Sequence, residues 1–95
     1  MRYPWLVLLR KAVANSSYVV SQHALRRMGE RAITIEDIEQ CIRDGDCIGQ
    51  EYHGRDPKVL IKGSDRNGEP FIVVITACWP VPAITTVMRE DEGCQ

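Results

Sequence analysis

The chain has no surplus of charge of either sign. Twelve Lys and Arg stand against thirteen Asp and Glu, a formal net charge of −1. That excludes a global field that gathers nucleic acid, so any polyanion site must be a local patch. The four cysteines, at 41, 47, 78 and 94, form no C-x-x-C pair and have no histidine at close spacing. Zinc sites and redox dithiols both need such spacing, so neither is predicted. Long hydrophobic runs are missing too. WLVLL (5–9) is cut off by Arg10–Lys11, too short for the apolar region of a signal peptide, and no run of about 20 apolar residues exists to cross a membrane. These absences predict a cytoplasmic chain without cofactor, metal or membrane partner, with Cys41 and Cys78 as reduced core thiols.

Ninety-five residues make one domain with a single core. Pro4 suits a first helical turn, and Trp5, Leu8, Leu9 and Ala12 recur at helical spacing, which predicts a helix over 4–14. YVV (18–20) reads as a short extended entry. Ser21 caps a second helix that runs to about Gly29, the usual stop residue. Thr34 opens a third, with Asp37 in the acidic position of a capping box. Ile35, Ile38 and Ile42 line one face of that helix, and DGD (44–46) ends it.

Beyond Gly45 the period turns extended. CIGQEYH (47–53) alternates, GRDP (54–57) turns, and KVLIK (58–62) returns. DRNG (65–68) is a hairpin signal. FIVVITA (71–77) is apolar throughout, as in a central strand covered on both faces. WPVP (79–82) forces a loop, AITTVM (83–88) forms the last strand, and the tail beyond is expected to fray. The expected fold is α+β: helices packed on a curved antiparallel sheet of about four strands. Residues 1–15 form a helical extension, 18–89 the core and 90–95 the tail.

The chemistry concentrates in SQHALRRMGERAIT (21–34). Residues 23–31 hold His23, Arg26, Arg27 and Arg31 against Glu30 alone, whereas 36–46 hold five acids against Arg43. Four residues advance a helix by about 6 Å and rotate it about 40° past a full turn, so His23 and Arg27 share a face. With Ala24 at the centre of the wheel, Leu25 and Met28 fall on the apolar side, the His–Arg pair at its edge and Arg26 in solvent. Arg31 falls close to the apolar side, so either Gly29 ends the helix or Arg31 points into a polar cleft. The same spacing is also that of a solvated helix face. His53 reads as exposed and idle, and Trp79 as a packing residue with base stacking as its alternative role.

Imidazole gives or takes a proton near neutral pH, and guanidinium presents a rigid fork of donors to phosphate oxygens. Together they form a minimal kit for metal-free RNA cleavage, in which the 2′-hydroxyl attacks the adjacent phosphate and arginines stabilise the pentacoordinate charge.

The stretch YVVSQHALRRMGERAIT, with IEDIEQCIRDGDCI behind it and AITTV near the end, resembles a small bacterial family with the signature Ser-x-His-Ala-x-x-Arg-Met-x-x-Arg. The matching positions are Ser21, His23, Ala24, Arg27, Met28, Arg31, Ile33, Thr34, Gly45, Ile84, Thr86 and Val87, within about 18–89. That family in turn resembles RelE-like toxins and barnase- and colicin-type ribonucleases.

The resemblance implies a RelE-like α+β fold and a metal-independent endoribonuclease of a toxin–antitoxin pair. Its substrate would be RNA, including messenger RNA on the ribosome, and its partner a small zinc-finger antitoxin. It assigns proton transfer to His23 and the scissile phosphate to Arg27 and Arg31, with Thr86, Arg89 and Lys62 lining the RNA groove. Met88 stands where the family carries a late Tyr, so that phenol is missing here. The N-terminal helix lies outside the resemblance and is open to contact with a partner or a second copy, as a homodimer. A second reading stays open beside the enzyme: a non-catalytic binding or regulatory domain that uses the same groove for a protein or nucleic acid.

Overall fold

The computed structural model describes residues 4–53, 56–77 and 81–89, without the side chains of Pro4, Trp5 and His53. The expectations for His53, Trp79, Cys78, Cys94 and the tail therefore lie outside the described residues. In chain order the elements are α1 (Pro4–Ala14), β1 (Val19–Val20), α2 (Gln22–Arg31), α3 (Ile35–Asp44), β2 (Asp46–His53), β3 (Asp56–Ser64), β4 (Pro70–Thr76) and β5 (Ala83–Arg89).

The class is α+β, but the sheet is mixed and has five strands, in the order β1-β5-β4-β3-β2. The expected meander of about four strands is present as β2 to β5, all antiparallel. The fifth strand is the YVV segment, which pairs parallel with the start of β5, Val19 opposite Ala83 and Val20 opposite Ile84. Two residues are too few to show a period, so this pairing is a tertiary choice.

α3 forms as its sequence dictates. Thr34 Oγ1 accepts from the Asp37 N–H at 3.2 Å, and Asp37 Oδ2 accepts from the Thr34 N–H at 3.0 Å, closing a capping box. The other oxygen of Asp37 accepts from the Arg66 N–H at 3.2 Å, so one buried carboxylate holds both the start of α3 and the β3–β4 turn. Arg10 of α1 donates from Nε to the Ile42 carbonyl and from Nη2 to the Gly45 carbonyl, each at 2.8 Å. It thereby satisfies carbonyls at the end of α3 that have no helical partner.

α2 departs from the sequence expectation. It runs through Gly29 to Arg31, and the stop is Ala32, in the left-handed region at φ 55°. Ala32 and Ile33 both donate their N–H to the Met28 carbonyl. Burial of Ile33, 4% exposed, holds the chain in a conformation that costs a non-glycine residue of order 1 kcal/mol or more.

The core lies between the helices and one face of the sheet. Leu9 and Val13 of α1, Ala24 of α2, and Ile38, Cys41 and Ile42 of α3 meet Val59, Ile61, Phe71, Val73, Ile75, Ile84 and Val87. Ile72 and Val74 of β4 belong to the opposite face by strand alternation and are outside this cluster, though only 6% and 7% exposed. Both faces of β4 are therefore buried, as expected of a continuous apolar central strand.

Cys41 is 2% exposed, with its thiol 3.5 Å from the Ile61 carbonyl, and burial pushes its pKa up to about 12. Alkylation needs the thiolate. Iodoacetamide at pH 8, followed by peptide mapping, is therefore expected to modify the half-buried Cys47 well before Cys41, which should react only as fast as the fold opens. Equal rates at the two would contradict this packing.

Candidate functional site

α2 lies along β5 and is fastened to it at both ends. At the start, the Ser21 N–H donates to the Ile84 carbonyl at 3.0 Å and its hydroxyl to the Thr85 carbonyl at 3.1 Å. The same oxygen caps the helix by accepting from the Ala24 N–H at 3.0 Å. Ala24, fully buried, lets the helix approach closely, and Met28 packs on the core beside it. At the far end, Arg89 Nη2 donates to the Arg31 carbonyl at 2.8 Å. Leu25, expected on the packed side, is 54% exposed; a helix laid along one strand buries only a narrow stripe.

Between the two fastenings lies a cleft of about 300 Å³, lined by Arg27, Arg31, Thr86, Val87 and Met88. Arg31 takes the cleft alternative. Its helix continues, and its side chain, 19% exposed, turns into the cleft and not to the core. Glu30 sits between the two guanidiniums, 3.6 Å from that of Arg27 and 2.8 Å from that of Arg31. In the sequence Glu30 stands as the lone acid among His23 and three arginines. Its place three residues after Arg27 and one before Arg31 was the available signal.

The other expected residues are distributed less compactly. His23 is exposed one turn before Arg27 and is not among the described residues lining the cleft. Thr86 faces the cleft from a β-bulge: the β4–β5 register shifts between Val74 and Ile75, and Thr85 Oγ1 bonds the Val74 carbonyl at 3.2 Å. Lys62 lies in a cross-strand row with Ile72 and Met88, two strands and about 10 Å from β5, opposite Asp46 of β2. It is on the same sheet face as Met88 but is not part of the cleft lining. Arg89 is committed inward, since its Nη1 also donates to Asp65 Oδ2 at 3.0 Å. Arg89 is not among the described residues lining the cleft.

Asp65, 7% exposed, was legible only as a turn residue. The Glu69 N–H holds its carboxyl below the usual carboxylate range, Arg89 and the Asn67 N–H add to this, and burial opposes it. Tyr18 does not stand in for the missing phenol. Its hydroxyl donates to Glu39 at 2.6 Å, and burial together with that carboxylate raises its pKa to about 12. Among the described residues no three His, Cys, Asp or Glu side chains gather as a metal-ligating group, and no helix is long and apolar enough to cross a membrane.

The family described as Domain of unknown function (DUF4258) matches residues 20–89. The chain belongs to that family. The matched span begins just before Ser21 and ends on Arg89, so the DUF4258 region contains both fastenings of α2 and the whole cleft, and leaves α1 outside. No curated protein and no solved structure matches the chain.

Proposed function

We propose that this chain is a metal-independent endoribonuclease of RelE-like type that acts as the toxin of a bacterial toxin–antitoxin pair. The observation that carries the reading is the convergence of Arg27 and Arg31 with Thr86 on one cleft. A bound phosphate would take the place of the Glu30 carboxylate between the two guanidiniums, and the Thr86 hydroxyl, which donates to the Val87 carbonyl at 3.4 Å, would turn to it as a further donor. In the reaction, the ribose 2′-oxygen attacks the adjacent phosphorus and its proton passes to a base. The bond from phosphorus to the 5′-oxygen breaks, and that oxygen takes up a proton. The products are a 2′,3′-cyclic phosphate and a 5′-hydroxyl. His23, one turn from Arg27, carries one of these protons when the RNA backbone spans the rim. Met88 supplies no phenol for the other, which water accepts from the 2′-oxygen or donates to the 5′-oxygen, whichever His23 does not serve, so a slow enzyme is expected. The antitoxin, a small zinc-finger protein in the cytoplasm, would cover the cleft.

One observation favours the second reading, a binding domain without catalysis. The cleft wall carries Met88, and its described lining lacks His23. Incubating purified protein with RNA in EDTA separates the two. The ribonuclease is expected to leave 2′,3′-cyclic phosphate ends and to spare a strand with 2′-deoxy sugars throughout. RNA binding without cleavage would assign the cleft to the second reading, and neither binding nor cleavage would sink the ribonuclease and leave the second reading with a protein partner alone.

A further inference from the structure

The guanidinium of Arg89 joins three parts of the chain. Nη2 donates to the carbonyl of Arg31, the last helical residue of α2, at 2.8 Å. Nη1 donates to Asp65 at 3.0 Å, and the Glu69 carboxylate lies 3.9 Å away. The Asp65 side chain is 3% exposed. Its second oxygen accepts from the N–H groups of Asn67 at 2.9 Å and Glu69 at 3.0 Å. The β3–β4 turn thus fixes Asp65, Asp65 fixes Arg89, and Arg89 fixes the end of α2. Directly after that end comes Ala32, in its left-handed conformation. A strained residue persists only where its surroundings over-determine it.

We propose that Arg89 is a positioning residue: it holds the last turn of α2 at the depth where the Arg31 guanidinium meets phosphate in the cleft. This rests on the phosphate-binding reading of that cleft and explains why a cation at its end points away from it. The rigid fork is what the role requires, since two donors at a fixed angle reach a carbonyl and a carboxylate at once. A lysine at 89 keeps the charge and can meet Asp65, but its single ammonium does not span both partners in that geometry.

The test is a double-mutant cycle between Arg89→Lys and Arg31→Ala, read by the anisotropy of a labelled single-stranded RNA at low salt. Arg89→Lys is expected to keep the wild-type circular dichroism and to weaken RNA binding about 10-fold, within the coupling found for residues in one network. In the Arg31→Ala background it should cost nothing more, because its effect runs through Arg31. Losses that multiply would make Arg89 a direct phosphate contact and overturn the proposal. So would unchanged affinity in Arg89→Lys when Arg31→Ala binds weakly.

Amide exchange at Ile33, whose N–H bonds the Met28 carbonyl at 3.0 Å, reports the same positioning without RNA. It should speed up at least several-fold in Arg89→Lys, and an unchanged rate would overturn the proposal. If wild type binds no RNA, the phosphate reading fails, and the exchange result alone judges the positioning. Should Arg89→Lys fail to fold, Asp65→Asn, which removes the ion pair and keeps the turn's shape, takes its place in both measurements.

Discussion

Replacing Arg27 with alanine is expected to slow RNA cleavage by about 10²–10³-fold, the usual effect of deleting one donor to developing charge. The pentacoordinate phosphorane carries more negative charge on its equatorial oxygens than the ground-state diester, so a guanidinium at the cleft stabilises the transition state more than the bound RNA. The rate at saturating RNA should fall more than the affinity. Arg27→Lys should restore affinity better than rate, because an ammonium keeps the charge and loses the fork. His23→Ala is expected to cost about 10²–10⁴-fold, the typical range for a general acid or base. Folding should hardly notice the loss of Arg27: its side chain is 39% exposed and its ion pair with Glu30 spans 3.6 Å, and exposed pairs of this kind contribute little. Single-turnover rates in EDTA check the expectation, and wild-type cleavage by Arg27→Ala would remove the residue from the reaction.

Gly45→Ala should be the most damaging small change to the fold. Its φ of −78° is open to any residue, so the requirement is for space. A Cβ at Gly45 meets the Cys41 carbonyl oxygen, lies 2.5 Å from the Lys62 carbonyl oxygen and 3.1 Å from Ile61 Cγ2. Two of these neighbours are backbone and cannot rotate away, so α3 must lift off β3. The shift would also disturb the Gly45 N–H bond to the Cys41 carbonyl at 2.7 Å and the Arg10 bond to the Gly45 carbonyl. Overpacking of this kind costs about 3 kcal/mol, which in a domain of this size lowers the melting temperature by roughly 12–24 °C. Gly63→Ala is the milder companion, because its Cβ meets mainly the Cys41 side chain, with Sγ at 2.8 Å. A Gly45→Ala variant melting within a few degrees of wild type would show that the α3–β3 junction opens freely.

Where structure follows from neighbours along the chain, the sequence could be read directly. Pro4 with its apolar spacing marks α1 to the residue, and Thr34 with Asp37 marks the start of α3, since caps and amphipathic stripes are written within a few positions. The end of α2 could not be read this way. Gly29 is a plausible stop, yet the helix is closed by the burial of Ile33 and by Arg89, 58 residues further on. The parallel pairing of Val19 and Val20 with β5 has the same non-local cause. At the site, helical arithmetic put Arg27 near the rim and posed the alternatives for Arg31. It said nothing of which strand would face them, and charge alone could not show that Arg89 turns inward to a buried Asp65 or that Lys62 stands two strands away.

The fastening of α2 to β5 also orders events during synthesis. Residues 22–31 leave the ribosome about 50 residues before the strand they need, since chains emerge N-terminus first and β5 begins at Ala83. A nascent chain that stops short of Ala83 carries both cleft arginines on a helix with no opposite wall. If the product cuts RNA, the machinery making it is exposed to that activity only once the last strand has emerged, and the topology itself serves as the delay.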